Sequence, residues 1–182
     1  MRKLILQMNM SMDGYVAGPN GEMNWIFENS GEEGYELAQK LLEDSDLIII
    51  GRGMSKEFLD YWPQQTSDFA KRINSLPKVI FSHTMEDSEL VWDNVTISRD
   101  IKEKIDEEKS KPGKNIILYG GCSLATSFAK LGAIDEYYLS SIPVILGGGK
   151  HLFEGIDMKV LKLVESIPTP SGEIINHYEP KK

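Results

Sequence analysis

Residues 115–132 read NIILYGGCSLATSFAKLG, and this stretch decides the fold class. Asn115–Tyr119 is an uninterrupted β-rich apolar run, as expected of a strand covered on both faces. Ser123–Leu131 carries helical spacing, and Gly132 stands where a helix-closing C′ glycine belongs. A strand running into a helix through Gly120-Gly121 is one unit of a parallel α/β sheet. Two residues without Cβ atoms let a ligand approach the backbone, and the free amides of a helix start attract phosphate. Packing of helix on sheet would select glycine too, so both readings stand here. For Gly121 the expectation is a backbone of positive φ lying against pyrophosphate.

A second junction lies upstream, where residues 46–58 read DLIIIGRGMSKEF. A buried strand, Asp46–Ile50, leads through Gly51-Arg52-Gly53 into a helix expected over Ser55–Tyr61. Arg52 adds a forked cation suited to phosphate, although Lys56 stands where a dinucleotide fingerprint would place its third glycine. The alternative is a tight turn with a surface arginine. Two such junctions could hold the two ends of an extended dinucleotide.

Further strands are expected at Lys3–Met10 and Lys78–Phe81, with helices over Glu33–Glu43, Asp68–Asn74 and Ile101–Lys109. Asp100 and Glu103 have capping-box spacing, and the helix they open is so charged that it reads as a solvated face. After Asp135, the runs EYYLSSIPVI, MKVLKLVESI and EIINHYE have no helical stretch between them, so they are expected to pair antiparallel at one end of the sheet. The fold class is therefore α/β, a mixed and mainly parallel sheet flanked by helices with antiparallel C-terminal strands, in one domain over 1–182.

In the first strand Leu4, Leu6, Met8, Met10 and Met12 share one face, and Gln7, Asn9, Ser11 and Asp13 share the other. If the strand is central, those polar groups must be paired or line a pocket; at an edge they would meet water.

The composition excludes several classes. The chain has 182 residues, with 20 Lys plus Arg against 28 Asp plus Glu, a formal charge of −8. At 41% hydrophobic and 26% charged it is an ordinary globular sequence. The acidic balance and the lack of a basic cluster argue against a nucleic-acid partner. No apolar run approaches the roughly 18 residues of a membrane span. The start is interrupted by Gln7, Asn9 and Asp13 and is no secretory signal, so a soluble cytoplasmic protein is expected. Lone Cys122 and the scattered His83, His151 and His177 give no zinc spacing, so no metal is expected. Gly147-Gly148-Gly149-Lys150 lacks the earlier glycine of a Walker A loop and is either a turn or a substrate-facing loop. No G-x-S-x-G elbow is present, and Trp25, Trp62 and Trp92 read as core.

Taken in order, SMDGYVAGPNGEMNWI (11–26), LIIIGRGMSKEF (47–58), KVIFSHT (78–84) and ILYGGCSLATSFAKLGAIDEYYLSSIPVILGGGKHLF (117–153) resemble the dihydrofolate reductase-like family. The resemblance is closest to the branch formed by the reductase (RibD C-terminal) domain of riboflavin biosynthesis, and it runs from about Arg2 to Tyr178. It implies NADPH as cofactor and hydride transfer to a small nitrogen heterocycle or its ribosyl derivative, such as 5-amino-6-(5-phosphoribosylamino)uracil. Dihydrofolate reduction and non-catalytic nucleotide binding are the alternatives.

By motif, the resemblance puts Arg52, Ser82 and His83 at the 2′-phosphate, with Gly51, Gly53, Met54 and Ser55 on the adenylate side. Gly120, Gly121, Cys122, Ser123 and Leu124 would line pyrophosphate and nicotinamide, and Val16 and Ala17 would meet the nicotinamide. Asn9, Asp13, Trp25 and Pro143 would face a small-molecule substrate, with Asp13 as the catalytic candidate orienting the ring. Folate reductases carry a carboxylate five residues after the tryptophan matching Trp25; here that residue is Ser30, and the nearby acids are Glu28, Glu32 and Glu33. The chain lacks the H-x-E and P-C-x-x-C of a zinc deaminase. The branch also implies a homodimer.

Overall fold

In the computed structural model the first strand, β1 (Leu4–Ser11), lies in the interior of an eight-stranded sheet and not at its edge. The structure describes residues 1–90, 92 and 94–181. The chain continues through β2 (Tyr15–Ala17), α1 (Asn24–Asn29), α2 (Glu32–Glu43), β3 (Ser45–Gly51), α3 (Arg52–Tyr61), α4 (Asp68–Ser75), β4 (Lys78–Phe81) and β5 (Val95–Ser98). Then follow α5 (Ile101–Ser110), β6 (Asn115–Gly120), α6 (Cys122–Lys130), β7 (Glu136–Ile142), β8 (Lys150–His151), β9 (Leu161–Pro168) and β10 (Ile174–Pro180).

The main sheet has the order β5-β4-β3-β6-β1-β7-β10-β9. From β5 to β7 every pairing is parallel, while β10 runs antiparallel to both β7 and β9. The fold class expected from sequence therefore holds, and the three C-terminal runs pair antiparallel with one another through β10. The first of the three C-terminal runs, β7, is parallel to β1 because α6, upstream of it, makes the crossover that a parallel pair needs. Three short strands, β2, β5 and β8, and the six-residue α1 lie outside the sequence expectation. Their runs of two to six residues are too short for any periodicity to register.

Each face of the sheet carries a helical layer. Leu4, Leu6, Leu47, Ile49, Ile116 and Leu118 pack under α6 through Leu124, Ala125, Phe128 and Ala129. Ile5, Ile48, Ile50, Ile80 and Ile117 pack under α2, α3 and α4 through Leu41, Leu42, Phe58, Leu59, Phe69 and Ile73. The highly charged α5 is more than a solvated face, since its Ile105 is 1% exposed and belongs to the first of these cores. Its start is capped by the Asp100 carboxylate, which accepts from the Glu103 amide at 2.8 Å. Gly132 has φ +66, the left-handed backbone expected of a C′ residue.

One buried group opposes folding. Lys78, 1% exposed at the start of β4, donates to the Leu76 carbonyl at 2.7 Å and lies 4.2 Å from the Trp92 ring centre. Burial pushes its ammonium down to about 8, because the charged form is the one that loses water. Both carbonyls near it, Asn74 and Leu76, also accept from Asn94 Nδ2. Lys78→Met should therefore raise Tm at pH 7, where the folded protein must bury the charge. Wild type should gain stability between about pH 8 and 10.5, where the folded side chain has shed a proton that the unfolded chain keeps. Thermal melts of both proteins at pH 7 and pH 10 check this, the difference shrinking at the higher pH.

Candidate functional site

Because β4, β3, β6, β1 and β7 are parallel neighbours, their C-terminal ends open on one edge of the sheet. Such an edge, where crossovers leave to both sides, is where open α/β sheets bind ligands. The two glycine junctions meet there. A Cβ on Gly51 would lie 3.1 Å from the Gly121 amide nitrogen and 3.3 Å from Leu124 Cβ, so a side chain there would crowd the place where β3 and β6 end side by side. Gly120 has φ +109 and closes against Met8 and Met54, and the Gly120–Gly121 peptide is cis. Gly121 corrects the sequence expectation: its φ is −75, and the positive φ belongs to Gly120. A Cβ at Gly121 or at Gly53 would meet no protein atom within 4 Å. Both therefore face open space at a helix start.

Gly51 and Gly121 are the N-cap residues of α3 and α6, and neither helix has a side-chain cap or an acidic residue in its first turn. By contrast α4 and α5 are capped by Ser67 and Asp100. Helix α3 begins at Arg52, three residues before the expected start, because Gly51 already supplies the extended cap geometry. Ser55, buried in the first turn, donates to the Arg52 carbonyl at 2.9 Å. Cys122 lies half-buried in the first turn of α6, beside exposed Ser123 and buried Leu124.

Arg52 reaches the loop after β4. Its Nη1 donates to Thr84 Oγ1 at 2.9 Å, and its Nη2 lies 3.6 Å from Glu89 Oε2. Ser82 is buried, and its hydroxyl oxygen accepts from the Thr84 and Met85 amides at 3.2 and 2.9 Å, which shapes that loop. His83 is exposed, and its carbonyl accepts from Arg99 Nη1 at 2.6 Å. Arg99 was not a sequence candidate: it follows β5, a four-residue strand that sequence reading did not register. With Arg52 it flanks the Ser82–Thr84 loop with a second guanidinium.

The substrate candidates gather nearer β1 and β7. Asn9 stands opposite Ser140. Trp25 packs with Ile26 and Ile142 and donates its Nε1 proton to the Glu22 carbonyl at 3.1 Å. Pro143 is exposed and lies 3.5 Å from where a Gly172 Cβ would be. Val16 and Ala17 are buried in β2, which pairs with β8, and a Cβ on Gly149 would overlap the Ala17 carbonyl. The triple-glycine loop thus closes against the segment expected at the nicotinamide.

Asp13 is held by three donors from its own chain. Its Oδ1 accepts from Ser11 Oγ at 2.6 Å and the Leu146 amide at 3.1 Å, and its Oδ2 accepts from the Gly147 amide at 2.7 Å. These donors hold the carboxyl down at about 2, the Ser11 hydroxyl contributing most, so it ties the 143–149 loop to β1 and keeps no proton to give at neutral pH. A carboxylate does arrive near Ser30, from the far end of the chain. Glu173, 1% exposed at the start of β10, accepts from the Gly31 amide at 3.1 Å and caps α2, whose N-cap Gly31 offers no side chain. Nothing in local sequence could signal that pairing across 142 residues. Glu28 instead is exposed and accepts from Asn24 Nδ2 at 3.2 Å.

Two polar atoms on this side of the sheet are buried without a hydrogen-bond partner among the described residues, Gln7 Oε1 and Tyr119 Oη. An aromatic series leads outward from them, Tyr119 to Phe58 at 6.3 Å between ring centres, Phe58 to Trp62 at 5.9 Å, and Trp62 to Phe69 at 5.4 Å. At the opposite edge Glu136, His177 and Glu179 lie close enough to share an ion, a cluster that sequence spacing does not reveal, but the Lys3 ammonium already rests on Glu136.

Asp13→Ala should free the loop while leaving the core intact. Hydrogen exchange at the Leu146 and Gly147 amides should rise well above wild type with Tm little changed. In wild type the tie should be complete above the ordinary aspartate range and fail only as pH falls toward about 2, the direction expected of a depressed carboxyl.

The sequence matches the RibD C-terminal domain family over residues 2–174. It is 34% identical to the uncharacterized protein YyaP of Bacillus subtilis strain 168 over 189 residues, covering 97% of this chain and 95% of that protein. Its fold is similar to that of a putative riboflavin biosynthesis protein from Shewanella sp. PV-4, with TM-score 0.81, 21% identity and 99% of each chain covered. It is also similar to dihydrofolate reductase from Enterococcus faecalis, complexed with NADP(H), with TM-score 0.67, 13% identity and coverage of 99% of this chain and 97% of that one. The fold is thus dihydrofolate reductase-like, and the chain belongs to the RibD C-terminal domain family.

Proposed function

We propose that the protein is an NADPH-dependent reductase of a small nitrogen heterocycle or its ribosyl derivative, with 5-amino-6-(5-phosphoribosylamino)uracil as the reference compound. The observation that carries this reading is the meeting of two uncapped helix starts at one sheet edge, with Gly53 and Gly121 open where any side chain would intrude on a ligand. Their amides suit the anionic backbone of a dinucleotide. When bound, NADPH supplies the hydride. The α6 start, from Gly121 to Leu124, holds the pyrophosphate, and Val16 and Ala17 bound the nicotinamide. Arg52 takes the 2′-phosphate, with Arg99, Ser82, His83 and Thr84 around it. Binding in a fixed orientation is the main contribution asked of the protein. Dihydrofolate fits less well, since Ser30 replaces the expected carboxylate and Glu173 is committed to the Gly31 amide.

The phosphate assignment predicts a selective loss. An Arg–phosphate contact is worth on the order of 1.5–3 kcal/mol, so Arg52→Ala should weaken NADPH about tenfold to a hundredfold and leave NADH nearly unchanged. Fluorescence titration of both proteins with both cofactors checks this, and equal losses would remove Arg52 from the 2′-phosphate. Oxidation of NADPH on addition of the reference uracil tests turnover; tight cofactor binding without oxidation across a panel of heterocycles would favour a binding protein.

We also propose a homodimer that covers the β9–β10 hairpin. Leu163, Val164 and Ile174 are 50%, 46% and 43% exposed there, beside Met158 and Val160 at 91% and 56%. Light scattering should report a dimer, converted toward monomer by Leu163→Glu; a wild-type monomer at high micromolar concentration would overturn the assignment.

A further inference from the structure

The N-terminal edge of the sheet carries a side-chain cluster remote from the glycine junctions. Tyr138 of β7 stands opposite His177 of β10, and Tyr137 opposite Tyr178, so Glu136 and Glu179 come next along the two strands. Side chains alternate along a strand, which puts Glu136, Tyr138, His177 and Glu179 on one face. The His177 ring is fixed there, stacked on Tyr138 at 4.1 Å between centres and 9° between planes. Its Nε2 is buried and lies 3.3 Å from Glu136 Oε2, yet at an angle that makes no hydrogen bond among the described residues. The two side chains are only 13% and 11% exposed, so bulk water does not replace that bond. A buried imidazole nitrogen held beside a carboxylate oxygen without bonding it calls for a third partner.

The spacing is that of metal ligands. Zinc bonds imidazole nitrogen and carboxylate oxygen at about 2.0–2.2 Å, which sets two ligand atoms of a tetrahedral ion about 3.3–3.6 Å apart. The His177–Glu136 pair already has that separation. With the Glu179 carboxylate, all three ligand atoms lie within 4.8 Å of one another, and a swing of about 1.5 Å by the half-buried Glu179 side chain closes the set. Lys3 leaves the position open. Its ammonium rests on Glu136 Oε1, not on the oxygen beside His177, and its side chain is 50% exposed.

We propose that Glu136, His177 and Glu179 bind one divalent transition-metal ion of the zinc class, which ties β10 to β7 at the edge opposite the glycine junctions. Imidazole selects zinc and its neighbours over calcium and magnesium, which take all-oxygen sets, and two carboxylates neutralise a divalent charge. The groove beside His177, lined by Leu37, Tyr138, Glu165, Ile167 and Ile175, measures about 20 Å³. That is room for one water and none for a substrate, so the ion acts as a clip between strands. Sequence spacing hides the site, because Glu136 meets His177 only through the register of β7 with β10. The inference stands independently of the reductase reading.

The test titrates the full chain, freed of metal by chelation, with Zn²⁺, Co²⁺ and Mg²⁺, read by calorimetry and visible absorption. Wild type should take up one Zn²⁺ per chain with micromolar or tighter affinity and melt several degrees higher once loaded. Co²⁺ should develop the intense visible band of a four-coordinate ion, and Mg²⁺ should not compete. His177→Ala and Glu179→Gln should each weaken Zn²⁺ at least tenfold and remove the cobalt band, while His83→Ala and His151→Ala should change neither. Should His177→Ala fail to fold, Glu179→Gln decides, because its half-buried side chain keeps its size and only loses its charge. The proposal is overturned if wild type binds no ion, if Mg²⁺ competes on equal terms, or if uptake survives in a folded His177→Ala or in Glu179→Gln. Each of those results would leave Glu136 as the ion partner of Lys3 and His177 as a stacking residue.

Discussion

The candidate site depends on the contact between the ends of β3 and β6. Adjacent strands stand about 4.8 Å apart, and each of these two must turn at once into a helix on a different face of the sheet. That is possible because Gly51 has no Cβ to strike the Gly121 amide, and because Gly120 accepts φ +109 against Met8 and Met54. Everything at the candidate site follows from this meeting. It aims two helix starts at one space, puts Arg52 over the loop after β4, and leaves Tyr119 next to last in β6, before Gly120.

The two edges of the sheet are used differently. At the N-terminal edge, charges are matched by charges: Arg2, 8% exposed, bonds Asp46 and lies 3.3 Å from Glu108, and Lys3 bonds Glu136. Leaving a buried charge such as Arg2 or Glu108 unmatched is strongly destabilising, so the Arg2 contacts hold β3 and α5 in place. At the C-terminal edge, α3 and α6 start without side-chain caps, the half-exposed Arg52 and Arg99 bind the loop after β4, and Gln7 Oε1 and Tyr119 Oη have no hydrogen-bond partner among the described residues.

Asp13 also has a structural part, in the loop beside the candidate site. A loop aspartate before glycine marks a turn as readily as a catalytic group. Here three donors surround the carboxylate, two of them amides from a loop more than 130 residues away. Its contribution to the site is to hold that loop, with the Gly149 approach to Ala17, beside the segment expected at the nicotinamide.

The strand-to-helix junctions at Gly51 and Gly120-Gly121, the parallel character of the sheet and the C′ role of Gly132 were legible in sequence, because each depends on residues within one turn or one strand. Apolar runs and glycines report local backbone and burial directly. Tertiary structure alone decided that β1 is interior, that β7 runs parallel to it, that Glu173 caps α2 and that Arg99 stands beside His83. These depend on which strands become neighbours, and pairing partners far apart in the chain leave no trace in the periodicity of either one. The same holds for Gln7 and Tyr119, 112 residues apart: only the register of β1 with β6 makes them neighbours.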